Sequence, residues 1–427
     1  MRKGLVIVIS LVLVTALLIG CSGPTTQAPA PTTAAPAPTT AAPKPTTAAP
    51  APATAAPGPT TAAPKPTGTA APAPTGAPST ISPAKAVELK YANPQNVMHL
   101  QYWVKSVLPY SERVAERTTN KITVKPYHDA SLLAEREVLD GVRKGITDTA
   151  LIQSSYFPSI LKAHKIDVND LFGDVLDAYR SALLARILWT EFPVFQEEYI
   201  KNNSIDLFGI ASGSSYILVN KPIKTLADMQ GLRIRVTGTY TPKILAAAGM
   251  IPVAMQLSDV YDAIQKGVLA GFNSVTPSIR DGQFDKVAKY IFRVGNTRIA
   301  NAGLGIIMNL DVWKSLPLDV KQIMVGEGQK MEKEFADFME RDAQEALNTL
   351  TGTLGVTLVN FSKAERDDWA SKVPDLYADW IKEMNDYGQP GQKMMDRIFE
   401  LSKMSTSDME KVWAEAWKKH SAFLLGL

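Results

Sequence analysis

The chain changes character near residue 87, and this break limits what it can fold into. From Met1 to Lys90 there is no aromatic residue, the first acidic residue is Glu88, and 17 of the 29 prolines lie between Cys21 and Pro83. A segment of Pro, Ala and Thr cannot bury enough apolar surface to offset the entropy of ordering it. The foldable part therefore begins near residue 87, and its length of about 340 residues is enough for two lobes.

The charge of the chain divides at the same place. Five basic residues and no acidic residue precede Glu88, so this segment carries a charge of +5; because the whole chain carries +3, the remainder is net negative. Binding of nucleic acid requires a basic surface on the folded part. We therefore expect no nucleic-acid partner.

The first 20 residues have the pattern of a secretory leader. Arg2 and Lys3 precede an apolar run, residues 5–19, which is too short to span a bilayer comfortably. The run ends in "LIGC", which resembles the lipobox of bacterial lipoproteins and implies a lipid on Cys21. The alternative is an ordinary signal peptide with an incidental cysteine. Cys21 is the only cysteine, so the chain forms no internal disulfide.

Residues 21–86 are predicted to be a disordered tether. Prolines recur every seven residues from Pro31 to Pro66, but no apolar seam accompanies them, so the repeat is not a coiled coil. Extended at ~3.1 Å per residue, about 60 such residues reach roughly 190 Å. The simplest role is a stalk that holds the folded part away from a membrane.

The rest of the chain alternates between strand and helix patterns, which is typical of α/β layers. The first such unit contains the strands "VELKYAN", "KITVKPY" and "TDTALIQ", with helical segments between them. The second contains the strands "SYILVNK", "GLRIRV", "IPVAM" and "LAGFNSV" and the helices "TPKILAAAG" and "SDVYDAIQKG". A later helical stretch that starts at "LPLDVKQ" runs for over 30 residues, long enough to pass along two lobes.

The strand "GLRIRV" contains two arginines that the pattern separates by position. Arg233 and Arg235 share one face, but Arg235 is the penultimate residue and a polar loop follows it. Ligands of open α/β sheets bind beyond the carboxyl ends of strands. The planar guanidinium can donate two parallel charge-assisted hydrogen bonds to a carboxylate, which lysine cannot reproduce. The pattern predicts that Arg235 anchors an anion and that Arg233 faces solvent.

The segment "KPIKTLADMQGLRIRV", followed by "LAAAGMIPVAMQLSDVYDAIQKGVLAGFNS", resembles the solute receptors of tripartite ATP-independent periplasmic (TRAP) transporters. The resemblance implies a periplasmic-binding-protein-like α/β fold with two lobes, crossover strands and one long lobe-spanning helix. It implies lobe I from residues 87–211 plus 303–338. It implies lobe II from residues 212–302 plus 339–427, including the C-terminal helices. It also implies an extracytoplasmic protein that binds a small organic anion and delivers it to a membrane permease.

The resemblance also singles out residues for the ligand site. The family's carboxylate-binding arginine falls on Arg235. Ser215 stands where many members have a further arginine, and Ser274 where many have asparagine, which favours a ligand with one carboxylate and an apolar or aromatic body. Phe272 and Asn273 either line the cleft or pack beneath it. The remaining candidates are Tyr156, Tyr216 and His99.

Other classes of function find less support in the sequence. None of the usual catalytic or nucleotide-binding motifs occurs, so we expect no enzyme. The four histidines lack metal-ligand spacing, and we expect no metal or cofactor. A lipid-anchored carboxylate-binding protein that serves an ABC importer or a sensor remains the main alternative, and a structural cell-wall lipoprotein is another.

Overall fold

The computed structural model describes residues 85–94, 102–165, 177–212, 215–293 and 304–427. These residues belong to one compact unit, Thr75–Leu427. The leader, Cys21, nearly all of the tether and His99 lie outside the described residues, so the expectations for them stay predictions.

The first of two sheets has five strands in the order β2-β1-β3-β10-β4. The strands β1, β2 and β3 run parallel, as the strand–helix alternation predicts. By contrast, β10, in which the chain returns to this sheet after passing through the second one, is antiparallel to both β3 and β4. The strand bounds are β1 Val87–Ala92, β2 Ile122–Tyr127, β3 Thr149–Gln153, β4 Ser204–Gly209 and β10 Leu304–Asn309.

The second sheet has six strands in the order β11-β9-β5-β8-β6-β7. At its centre β6 runs parallel to β7 and β8, whereas β5 is antiparallel to β8 and β9. The strand bounds are β5 Ser215–Val219, β6 Arg233–Val236, β7 Ile251–Ala254, β8 Gly271–Val275, β9 Tyr290–Arg293 and β11 Thr357–Val359.

Helices cover both sheets. Those that precede the second sheet are α1 Leu108–Arg117, α2 Val138–Arg143, α3 Ala178–Glu191 and α4 Val194–Ile200. Those between the strands of the second sheet are α5 Thr241–Ala247, α6 Val260–Gln265 and α7 Thr276–Asp281. The last group is α8 Leu310–Ser315, α9 Leu318–Gly352, α10 Lys363–Lys372, α11 Leu376–Asp386, α12 Gly391–Ser402 and α13 Thr406–Leu425.

The long helix α9 has 35 residues and passes along both lobes, which confirms the prediction. Its first half buries Val320, Met324 and Phe335 in the core around the first sheet. Near its end Leu350 is buried in a core of the second sheet. Gly328 permits close contact with β4, because a Cβ there would lie 3.2 Å from the carbonyl oxygen of Leu207.

The last three helices pack mainly in the core around the first sheet, whereas α10, through Trp369, packs in a core of the second sheet. Trp380 of α11, Met394 of α12 and Trp417 of α13 are buried in the core around the first sheet, together with apolar residues of α3. These three helices therefore pack mainly on the first sheet, although Leu376 of α11 also packs against a core of the second sheet. Helical spacing shows that each has an apolar face but does not show which apolar surface covers it. The lobe boundaries stay predictions.

A buried carboxylate joins four of these elements. Glu332, in the middle of α9, is 2% exposed. It accepts hydrogen bonds from Arg186 of α3 (Nη2 to Oε2, 2.7 Å), from the backbone N–H of Gly209 (2.7 Å), and from the indole nitrogens of Trp413 and Trp417 (3.0 Å each). These donors offset the cost of removing the carboxylate from water.

A second carboxylate shares the same guanidinium. Asp206 of β4 lies 2.7 Å from Arg186 Nη2 and 4.0 Å from His420 Nε2. Burial raises the pKa of the Asp206 carboxyl, although the charge of Arg186 opposes this shift. Burial and the charge of Arg186 hold the pKa of His420 well below its usual range. The group therefore contains one cation, which is Arg186, and two carboxyl groups. Of these, Glu332 accepts hydrogen bonds from four donors, and Asp206 is pushed toward its neutral form by burial.

We predict that Glu332→Gln lowers the free energy of unfolding by about 3–5 kcal/mol, because it removes one partner of a buried ion pair. The matched variant Asp206→Asn should cost less than half of that, because Asn resembles the protonated acid and Arg186 keeps Glu332. Urea unfolding of both variants at neutral pH measures the difference. Equal losses in the free energy of unfolding would show that the two carboxyl groups contribute equally to stability.

Candidate functional site

A cleft lies at the carboxyl ends of strands from both sheets. The cleft and its open mouth together enclose about 470 Å³ of space, open solvent included. One wall comes from the first sheet and the other from the second, with the start of β10 and the residue after the crossover from β4 between them. The lining residues are Tyr102, Glu135, Gln153, Tyr156, Ser212, Ser215, Arg235, Thr237, Leu257, Asn273, Ser274, Val275, Ser278 and Leu304.

Arg235 is the cation that β6 places in this cleft. It is 5% exposed, whereas Arg233 on the same strand is exposed, as its position at the strand start predicts. The Nε atom of Arg235 donates to the carbonyl oxygen of Met255 at 2.9 Å, which fixes the plane of the guanidinium. Its Nη2 lies 3.4 Å from the hydroxyl of Tyr156, which follows β3 in the first sheet. Arg235 thus connects the two walls of the cleft.

Three further candidates line the cleft beside Arg235. Ser215 begins β5, and Asn273 and Ser274 lie near the end of the neighbouring strand β8. Asn273 is buried, and its Nδ2 donates to the carbonyl oxygen of Tyr216 at 3.3 Å. The structure therefore brings together five of the residues named from the sequence: Arg235, Tyr156, Ser215, Asn273 and Ser274.

Two other candidates, Phe272 and Tyr216, pack in a core of the second sheet and are not among the residues that line the cleft. The ring of Phe272 is fully buried, with its centroid 4.3 Å from that of Phe284. Tyr216 pairs opposite Ser274 in the ladder and packs in the same core as Phe272. Burial raises the pKa of its hydroxyl, although the charge of Arg293 opposes this shift. Alternation places both rings on one face of the sheet but does not show that helices cover that face.

Glu135 lines the cleft and is absent from the sequence-based candidates. It begins a short 3₁₀ turn, Glu135–Glu137, just before α2. The Tyr156 hydroxyl forms a hydrogen bond with its carboxyl group. Burial raises the pKa of Glu135, and the hydrogen bond from Tyr156 and the charge of Arg235 partly oppose that shift. In the sequence, an acidic residue at the start of a helix is ordinarily explained by the helix dipole, so this position gave no separate signal.

Residues 95–383 match the family DctP, described as bacterial extracellular solute-binding protein, family 7. The match covers more than half of the chain. The chain belongs to this family.

Individual relatives agree with the family match. A solute-binding protein of Sulfitobacter sp. strain NAS-14.1 is 25% identical over 284 residues, 65% of this chain and 83% of that protein. A TRAP periplasmic solute-binding protein of Desulfovibrio salexigens, solved as an open complex, is 25% identical with a TM-score of 0.63 over 75% of this chain and 98% of that one. A TRAP periplasmic solute-binding protein of Bordetella bronchiseptica, solved with mandelate, is 20% identical with a TM-score of 0.65 over 75% and 100%.

The DctP-family chain is therefore an extracytoplasmic solute receptor of the TRAP type and not an enzyme. Its two-lobed α/β fold is that of the periplasmic-binding-protein-like TRAP receptors. Within the described residues, no helix has both the length and the apolar character needed to cross a bilayer. Among the same residues, no group of three or more His, Cys, Asp or Glu side chains is placed to hold a metal ion.

We predict that Phe272→Ala in this DctP-family protein lowers the free energy of unfolding by about 3–5 kcal/mol, because it leaves a cavity in a closed core. Ser274→Ala, two residues along the same strand, should change it by less than about 0.5 kcal/mol because that side chain only lines the cleft. Urea unfolding without ligand measures both. A near-silent Phe272→Ala would mean that the ring faces the cleft after all.

Proposed function

We propose that the cleft binds a small organic acid through one carboxylate and that Arg235 is its principal anchor. The observation that carries this proposal is the burial of Arg235 at the carboxyl end of β6, within the cleft lining. Hydrogen bonds to charged groups contribute about 1.5–3 kcal/mol each. A bidentate pair would thus supply a large part of a micromolar affinity, which is about −8 kcal/mol in total.

The rest of the lining supports a monocarboxylate with a small apolar or aromatic body. Ser215 and Ser274 stand where a further cation and an amide are common in the family, and Arg235 is the only arginine among the described residues that line the cleft. Tyr102, Leu257 and Leu304 add apolar surface. The similar receptor of Bordetella bronchiseptica holds mandelate, an aromatic acid with one carboxylate, which agrees with this ligand class.

We infer that ligand binding stabilises a closed state. Tyr156 and Glu135 belong to the wall from the first sheet, whereas Arg235 and Ser274 belong to the wall from the second. A small anion that contacts both walls adds interactions that exist only when the walls are close, so it shifts the population toward closure. The closed receptor would then deliver its ligand to a TRAP permease.

The carboxylate proposal predicts different results for the two arginines of β6. Arg235→Lys should fold normally but weaken carboxylate binding about 10- to 100-fold, because lysine cannot form the bidentate pair. The matched control Arg233→Lys should leave the affinity for the carboxylate nearly unchanged, because that side chain is exposed. A thermal-shift screen of small carboxylates identifies a ligand, and calorimetry then measures both variants. Equal affinities would show that the anchor lies elsewhere.

We further propose that a lipid on Cys21 anchors the receptor, with residues 21–86 as the stalk. The basic start, the short apolar run and "LIGC" support this. Cys21→Ser should abolish labelling by fatty acid in the expression host and release the protein from the membrane fraction. Ser22→Ala should remain labelled and bound. Retention of Cys21→Ser in the membrane fraction would contradict the lipid anchor.

A further inference from the structure

The cleft contains a carboxylate as well as a guanidinium, and this combination limits its ligands further than Arg235 does alone. Glu135 lines the cleft, and its carboxyl group is close enough to Arg235 for their charges to interact. Tyr156 contacts both: its hydroxyl lies 3.4 Å from Arg235 Nη2 and forms a hydrogen bond with Glu135. One hydroxyl group therefore separates the cation from the anion.

The turn that carries Glu135 does not need this carboxylate for its own stability. Capping of the turn is performed by Glu137, whose Oε2 accepts a hydrogen bond from the backbone N–H of Ala134 at 3.0 Å. Arg136, the residue between them, lies against the ring of Tyr156, with its guanidinium carbon 5.6 Å from the centroid. Glu137 thus caps the turn and Arg136 packs against Tyr156, whereas the side chain of Glu135 lines the cleft.

One oxygen of Glu135 lacks a protein donor. Its Oε2 is buried and has no hydrogen-bond partner among the described residues. A buried acceptor without a donor is unfavourable, and a carboxylate is more so than a neutral oxygen. A ligand group that donates a hydrogen bond to this oxygen would remove that cost.

A plain carboxylate would not satisfy both charged groups. Its oxygens would pair with Arg235, but its negative charge would be added beside Glu135, and Oε2 would keep no donor. A ligand that carries a hydroxyl, an amide N–H or an ammonium group close to its carboxylate would satisfy Arg235 and Glu135 together. Sites built to hydrogen-bond a donor discriminate strongly against analogues that lack it, because the protein group is left unpaired.

We propose that Glu135 makes the receptor selective for monocarboxylates that carry a hydrogen-bond donor within a few bonds of the carboxylate, such as hydroxy acids, lactam acids or amino acids. This rests on the proposed binding of a carboxylate by Arg235. The preference over the matched acid without the donor is about 10- to 100-fold, which corresponds to one hydrogen bond to a charged group.

Calorimetry on the full-length protein in detergent tests the proposal with three matched pairs. They are mandelate with phenylacetate, 3-hydroxybenzoate with benzoate, and pyroglutamate with cyclopentanecarboxylate. In each pair that binds, the donor-bearing acid should bind at least tenfold more tightly. Glu135→Gln should reduce that ratio to about threefold or less and should strengthen binding of the plain acid, because a negative charge is removed. The matched control Glu137→Gln should keep the wild-type ratio.

The outcomes separate this inference from the proposed function. Equal affinities within every pair that binds would overturn the selectivity of Glu135 and leave the Arg235 site intact. A preference that persists unchanged in a folded Glu135→Gln would do the same, because another group would then supply the acceptor. Absence of Arg235-dependent binding by all six acids would overturn the proposed function, and this inference with it. If Glu135→Gln fails to fold, the wild-type ratios alone decide.

Discussion

The fold depends on how a charge in the middle of the long helix is accommodated. Glu332 is inside the core around the first sheet, where an unpaired carboxylate would be strongly unfavourable. Its partners come from α3, from the end of β4 and from α13, so satisfying one side chain fixes three elements around α9. The same requirement holds α13 against the first sheet, because two of the donors, Trp413 and Trp417, lie on α13.

This network is also close in sequence to the ligand site. The backbone N–H of Gly209 donates to Glu332, and the chain runs from there through Ile210 and Ala211 to Ser212 in the cleft lining. The crossover thus starts from a point held in the core, while α9 continues toward the core of the second sheet at Leu350. The crossover therefore has a rigid start, and the two lobes share one helix. Both features limit the ways in which the two walls of the cleft can approach each other around a small ligand.

Much of the fold and part of the site follow from local patterns. Alternation within "GLRIRV" and the polar loop after it predict a strand with an exposed Arg233 and an Arg235 at the ligand-binding end, and the structure places both side chains accordingly. The same reasoning could not decide the position of Tyr216, because periodicity reports which face a residue occupies and not what covers that face. It also missed Glu135, whose position before α2 is fully explained by local helix chemistry until the packing of the lobes is known.

The sequence by itself predicted the alternation of strands and helices in the two α/β units, the length of α9 and the location of Arg235 at the carboxyl end of a strand. These properties depend on composition and on contacts between near neighbours, which a linear pattern records. Only the tertiary structure decided that α11 to α13 pack mainly on the first sheet, that Phe272 lies in a closed core, and that Glu135 lines the cleft near Arg235. Each of these depends on residues far apart in the chain, and no local pattern specifies which distant surfaces meet.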